Sequence, residues 1–136
     1  MGNKGRAVPR VVCCAVPIAR TAGKVLVVTS RKRPDYWVLP KGGWEQSDVT
    51  LEAAALREAY EEAGVRGTIK RYVTTIPSPS STYHFYEVDV SSQDQTWLES
   101  HERRREWVDY AEALRRLSWK TELAQGLQLA LHPPHR

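Results

Sequence analysis

Cysteine is scarce in this chain, and long apolar runs are missing. The two cysteines among 136 residues, Cys13 and Cys14, are adjacent. On an extended strand neighbouring side chains point to opposite faces, which argues against a mutual disulfide or a shared metal and reads both as small core residues. No apolar stretch approaches the ~20 residues of a membrane-spanning helix. Residues 1–6 contain no apolar signal region, and a myristoylation pattern beginning at Gly2 fails at Arg6. These absences set a cytoplasmic or nuclear location as the expectation. No internal repeat is present, and the length suits a single domain over 1–136, with flexible tails expected at about 1–8 and 132–136. A chain of this size builds a core without disulfide or metal staples.

Acidic residues are also the minority, 16 against 20 Lys and Arg, for a net charge of +4. A mild basic excess suits an anionic ligand and identifies none. Three carboxylates nevertheless gather in one segment, Glu58, Glu61 and Glu62. At 3.6 residues per turn they share roughly a 100° arc of one helix. Two unit charges about 4 Å apart repel by roughly 4 kcal/mol at an effective dielectric of about 20. Such a cluster requires a cation, a raised pKa or open water. A hard divalent ion such as Mg²⁺ is one relief, because it takes oxygen ligands and brings phosphate oxygens with it. For an isolated E-x-x-E-E a solvated helix face is the commoner reading.

The surroundings reverse that preference. Gly42-Gly43 lies upstream, Arg57 directly precedes Glu58, and Gly64-Val65 closes the segment. From Gly42 to Val65 the order resembles the Nudix signature, G-x5-E-x7-R-E-U-x-E-E-x-G-U with U aliphatic. There are two departures. The first acidic position is Asp48 rather than Glu and lies one residue too far from Arg57, so the loop carries an insertion; small Ala59 stands at the aliphatic site. Two further runs, Arg33-Pro34-Asp35-Tyr36-Trp37-Val38-Leu39-Pro40-Lys41-Gly42-Gly43-Trp44-Glu45 and Arg103-Arg104-Arg105-Glu106-Trp107, resemble the diphosphoinositol polyphosphate phosphohydrolases, especially fungal members. That subfamily also cleaves long diadenosine polyphosphates. The resemblance extends from about Arg10 to about Leu131.

Apolar patterning predicts strands over Val11 to Pro17 and Lys24 to Thr29, joined by a Thr21-Ala22-Gly23 turn, and over Thr68 to Ile76 and Tyr83 to Val90, joined by a mobile Pro77 to Ser81 loop. A helix capped by Asp48 or Thr50 and ended by Gly64 has its apolar arc at Ala55, Leu56, Ala59, Tyr60 and Ala63. Gln93 to Trp97 reads as a turn, Trp107-Val108 as a short strand, Tyr110 to Leu117 as a brief helix and Glu122 to Leu131 as an amphipathic one. Alternating strands and helices point to the α/β class, with a mixed sheet covered by helices, and the resemblance implies the same Nudix-like α/β/α sandwich.

The resemblance also implies roles. Glu58 and Glu62 hold the metal, Mg²⁺ or Mn²⁺ in its place, with the Lys41 carbonyl completing the set. Glu61 accepts a proton from water or joins the metal ligands. Arg57, about 100° away on the helix, is structural and pairs with the loop or Asp48; Gly64 closes the motif. Substrate contacts carry over to Arg10, Ser30, Arg31, Lys32, Lys41, Gly42, Gly43, Arg103 and Lys120, the last across a one-residue gap. Taken singly, each basic residue is a solvated surface charge; converging, they make a bowl for many phosphates. Trp44 is expected to pack, and His84 and His101 to be structural. No aromatic pair stands out as an adenine clamp, which favours an inositol ligand. The expected activity is Mg²⁺-dependent hydrolysis of the β-phosphate of diphosphoinositol polyphosphates and of diadenosine penta- and hexaphosphates, with inorganic polyphosphate as a further substrate. A pyrophosphatase for ADP-ribose, nucleoside diphosphate sugars or RNA caps and a non-catalytic polyphosphate sensor are the alternatives. The chain is expected to be monomeric, with no membrane and no specific nucleic-acid partner.

Overall fold

A computed structural model describes residues 8–132. The tails expected at 1–8 and 132–136 lie, apart from Val8 and His132, outside the described residues. In chain order the elements are strands β1 (Arg10–Ala19), β2 (Lys24–Thr29), β3 (Trp37–Val38) and β4 (Lys41–Gly43), a 3₁₀ turn over Gln46–Asp48, helix α1 (Leu51–Ala63), strands β5 (Val65–Pro77), β6 (Ser81–Gln93) and β7 (Arg105–Asp109), and helices α2 (Tyr110–Leu117) and α3 (Thr121–Leu131).

β1 is the spine. It runs antiparallel to β2 and β4 and parallel to β6, which pairs antiparallel with β5. The sheet order is β3-β2-β1-β6-β5, with β4 added on β1 and β7 on β2. The sheet is therefore mixed. Cys13 to Val16 are fully buried, because both faces of β1 are covered, and a strand covered on both faces reads as a continuous apolar run. Cys13 and Cys14 are free thiols on opposite faces. Helix α1 lies against β1, β4 and β5, whereas α2 packs on β2, β3 and β7 and α3 on β5 and β6. This is the helix–sheet–helix layering that the alternation of elements predicts.

Helix α1 begins at Thr50, whose hydroxyl accepts from the Ala53 N–H at 3.1 Å, and ends at Gly64, left-handed at φ 68° with its N–H directed to Ala59 and Tyr60. Its buried face differs from the expected arc. Ala54, Ala55, Ala59 and Ala63 are buried, together with Glu58 and Glu62, while Tyr60 is exposed under the Arg66 guanidinium, 4.5 Å from the ring centroid. The helix is thus rotated to carry two carboxylates inward. Small alanines permit this by letting α1 sit close to the sheet.

Strands β5 and β6 are longer than their apolar cores suggest. The Pro77 to Ser81 segment is a tight hairpin turn rather than a mobile loop: Ser78 Oγ donates to the Ser81 carbonyl at 2.8 Å and accepts from its N–H at 3.1 Å. At the far side, the Glu87 carboxylate is held by Arg20 at 2.8 Å and Arg71 at 3.0 Å, and both guanidinium groups also donate to the Ala130 carbonyl. That knot ties the end of α3 to the sheet. No helix among the described residues is long and apolar enough to cross a membrane.

Candidate active site

Arg57 organises the loop between β4 and α1. Its Nε and Nη2 bond the two Asp48 oxygens at 2.7 and 3.0 Å, and Nη2 also donates to the Gly43 carbonyl at 3.0 Å. The guanidinium holds the Asp48 carboxyl below the usual range, assisted by the Glu45 N–H, which donates to Oδ2 at 2.7 Å. Asp48 reaches Arg57 despite its short side chain because the inserted residue is absorbed beyond it, at Val49. Val49 has φ 67° and ψ −51°, and the Thr50 N–H bonds back to the Asp48 carbonyl at 2.6 Å. This is a γ-turn of the strained kind, on a β-branched residue.

Glu58 and Glu62 form the inner pair. They are 7% and 5% exposed, and burial raises the pKa of both. Glu62 also accepts from the Lys41 N–H at 3.1 Å and faces Arg103 at 3.3 Å. Arg57 Nη1 stands 3.2 Å from Glu58 and 3.3 Å from Glu61, the more exposed of the two. Among the described residues no three His, Cys, Asp or Glu side chains converge as a ready cage.

Backbone oxygen completes what the side chains leave open. The bonds Ala15 N–H to Pro40 O and Trp44 N–H to Val11 O flank β4. Lys41 therefore occupies a non-bonded position opposite Cys14, where N–H and C=O both turn away from β1, toward Glu62. Gly42 is required by close approach, since a Cβ there would overlap the Glu58 carboxylate. Glu58, Glu62 and the Lys41 carbonyl are an all-oxygen set with buried, mutually repelling charge, and this fits a hard divalent cation.

Around this pair lies a cleft of about 340 Å³, lined by Arg10, Arg31, Lys41, Gly42, Arg57, Arg103 and the three glutamates. Arg31 is largely exposed and pairs with Glu102 at 3.2 Å. Arg103 is nearly buried, and its donors are taken by Glu99 at 2.6 Å, the Thr29 carbonyl at 2.9 Å and Glu62. Lys120 does not line the cleft; its Nζ stands 5.6 Å from the ring centroid of Tyr83, which does. Ser30 and Lys32 do not line the cleft; the Ser30 hydroxyl accepts from the Arg33 N–H at 3.2 Å. Gly43 lines a neighbouring recess with Arg10 and Trp44. Trp44 is 41% exposed there rather than packed. His84 is half-buried and bonded to Thr75 at 3.0 Å, and desolvation lowers its pKa.

Sequence reasoning missed Glu99, Ser81 and Tyr83 as lining residues. Ser81 and Tyr83 arrive through the parallel pairing of β6 with β1, which no local pattern announces. Glu99 is placed by its N–H bond to the Glu61 carbonyl at 3.1 Å. Its spacing of four residues from Arg103, an i, i+4 ion pair, was the available signal.

Buried carboxylates set among cations thus lie on a helix flanked by a glycine loop. Comparison with known proteins identifies the family. The NUDIX domain model matches residues 8–129. Nudix hydrolase 21, chloroplastic, of Arabidopsis thaliana is 37% identical over 111 residues, covering 76% of this chain and 56% of the relative. Diphosphoinositol polyphosphate phosphohydrolase 3-alpha of Homo sapiens is 34% identical over 97 residues, 68% of this chain and 58% of the relative. The chain thus spans little more than half the length of these curated relatives. A NUDIX hydrolase structure from Nitrosomonas europaea superposes with a TM-score of 0.77 over 91% of this chain and 89% of that one, at 20% identity. The chain belongs to the Nudix hydrolase family, whose members generally use divalent metals such as Mg²⁺.

Proposed function

We propose that the chain is an Mg²⁺-dependent phosphoanhydride hydrolase that removes the β-phosphate of diphosphoinositol polyphosphates and cleaves diadenosine penta- and hexaphosphates. One observation carries this reading: the buried Glu58–Glu62 pair opens onto a cleft ringed by Arg10, Arg31, Lys41, Arg57 and Arg103. A phosphoanhydride resists attack because its oxygens repel the nucleophile, so a catalyst must neutralise them and align a water.

Bound at Glu58, Glu62 and the Lys41 carbonyl, the divalent ion supplies charge neutralisation and a Lewis acid. The chain supplies the rest. Arg10, Arg31 and Lys41 offset the charge of a long phosphate chain. Arg57 fixes the loop through Asp48 and the Gly43 carbonyl and steadies Glu61. Glu61, the most exposed of the three glutamates, accepts the proton of the attacking water. Arg103, bound between Glu99 and Glu62, holds the cleft wall and meets substrate only by leaving Glu99. Ser30, Lys32 and Lys120 are outer contacts for the longer substrates.

Turnover of a substrate panel by the wild type and Glu61→Gln tests the reading. The variant should lose about 10²–10⁴ in kcat, the range of general-base catalysis, while still binding ligand. Robust ADP-ribose, nucleotide-sugar or RNA-cap cleavage with no action on diphosphoinositol or diadenosine substrates would assign a different Nudix specificity. Binding without any turnover would make the chain a sensor. A monomeric state and a cytoplasmic or nuclear location belong to the same proposal, although curated relatives are named as chloroplastic and mitochondrial. Sedimentation and microscopy of the tagged chain check them.

A further inference from the structure

A recess larger than the carboxylate cleft, about 540 Å³ against 340 Å³, lies between β3, β7 and the end of α2. Its walls are aromatic and charged, with Tyr36, Trp37, Trp119 and Arg104 beside the carboxylates of Asp35 and Glu106. Trp37 is held between Arg116 and Arg104, 4.6 and 5.4 Å from its ring centroid. The Trp119 indole N–H donates to the Trp37 carbonyl at 2.8 Å. Tyr36 and Trp119 meet edge to face, centroids 4.7 Å apart and planes at 79°. The two rings make an open corner rather than a closed stack, and they remain 41% and 38% exposed.

Two features of this corner suit a ligand. The first is aromatic surface left in water, which burial under a ligand would remove from solvent. The second is unspent charge. Arg115 and Arg116 are committed to Glu112 and Glu106, but among the described residues Arg33, Arg104 and Asp35 have no ion-pair partner; Arg33 lies 5.9 Å from the centroids of both Tyr36 and Trp119, and Arg104 lies beside Trp37. Exposed π faces beside unpaired guanidinium groups and a free carboxylate match a nucleotide: rings stack a base, a carboxylate accepts from its exocyclic amino group, and arginine meets phosphate.

The recess and the cleft share walls with one further groove: Asp35 and Arg104 line this smaller groove with Glu102 and Arg103, and Arg103 in turn lines the carboxylate cleft. An arginine stands at each junction. We propose that this recess is a nucleobase subsite, holding one nucleoside end of a dinucleoside polyphosphate whose phosphate chain passes Arg104 and Arg103 to reach Glu58 and Glu62. The inference rests on the hydrolase reading above and deepens it. It also revises the expectation that no aromatic pair serves a base, since the pair is assembled from two segments distant in sequence.

The test compares Trp119→Ala and Trp119→Phe with the wild type. On diadenosine hexaphosphate, Trp119→Ala should raise KM about tenfold or more at unchanged kcat, as expected for one lost base stack. Trp119→Phe, which keeps a ring but loses the bond to Trp37, should restore most of it. KM for a diphosphoinositol polyphosphate, which has no base, should move less than twofold. Equal KM increases on both substrates, or none on the dinucleotide, overturn the proposal. A second measurement needs no turnover: with chelator present, the wild type should bind ATP more tightly than tripolyphosphate, and Trp119→Ala should lose that preference. If the wild type hydrolyses neither substrate, the hydrolase reading fails while this binding comparison still decides the subsite; equal affinity of the wild type for the two ligands refutes it.

Discussion

Val49 holds a conformation that its side chain resists. A β-branched residue at φ 67° carries strain of order 1–3 kcal/mol, and the neighbouring bond from Thr50 to Asp48 keeps it there. Its side chain is 82% exposed, so nothing is packed that a smaller residue would lose. Val49→Gly should therefore raise stability by about 1 kcal/mol after the ~0.5–1 kcal/mol of extra unfolded-chain entropy that glycine brings. The midpoint of urea unfolding reads this directly, and a lowered midpoint would contradict the strain. Beside it, Asp48 has a folded pKa depressed below the unfolded value of about 3.9. A depressed carboxyl stabilises the fold above its unfolded pKa, and that contribution is lost as pH falls through the folded one. Asp48→Asn should accordingly be less stable than the wild type near neutrality, with the gap closing below about pH 4. Parallel urea titrations at several pH values check the convergence; a gap independent of pH would mean that Arg57 gains nothing from the charge.

At the level of elements, α1 was legible from the sequence while β3 and β4 were not. A helix of this length announces itself through its cap at Thr50, its left-handed stop at Gly64 and its carboxylate spacing, all local signals. Strands of two and three residues are too short for any periodicity, yet β4 is what turns the Lys41 backbone toward Glu62. Burial of Glu58 and Glu62 also escaped local reading, because helical spacing gives a shared arc without saying whether it faces water. Alanine at positions 54, 55, 59 and 63 was the cue that α1 approaches the sheet closely. Residues that reach the cleft through long-range pairing, Ser81 and Tyr83, had no local cue at all. The contact between β4 and α1 makes its own prediction. Gly42→Ala places a Cβ where the Glu58 carboxylate lies, so the end of that side chain must move. That variant should remain folded, lose affinity for Mg²⁺ in calorimetric titration and lose activity with it; unchanged metal affinity would remove Glu58 from the ligand set.

Across the whole molecule, two buried clusters of charge act on stability in opposite directions. The Glu87 knot joins β1, β5, β6 and α3 through Arg20 and Arg71, each partly exposed. Removing its carboxylate in Glu87→Ala should cost about 2 kcal/mol in thermal unfolding, less than the ~3–5 kcal/mol of a fully buried pair. The Glu58–Glu62 pair opposes folding instead when it is charged. Because burial raises the Glu62 pKa, the folded chain holds a proton that the unfolded chain has released. The stability from that proton is complete below the unfolded carboxylate pKa of about 4.3 and is lost as pH rises through the folded value. A bound Mg²⁺ has the reverse dependence, since it requires both carboxylates ionised and expels the proton. The gain in melting temperature on adding Mg²⁺ should widen between about pH 5 and pH 8, toward the ~2.7 kcal/mol expected at a hundredfold excess over Kd. Glu62→Gln should flatten both curves, because Arg103 keeps Glu99 and the Thr29 carbonyl as partners. A magnesium effect that is constant across this range, or that persists in Glu62→Gln, would place the ion away from this pair and leave its repulsion to be relieved by the proton alone.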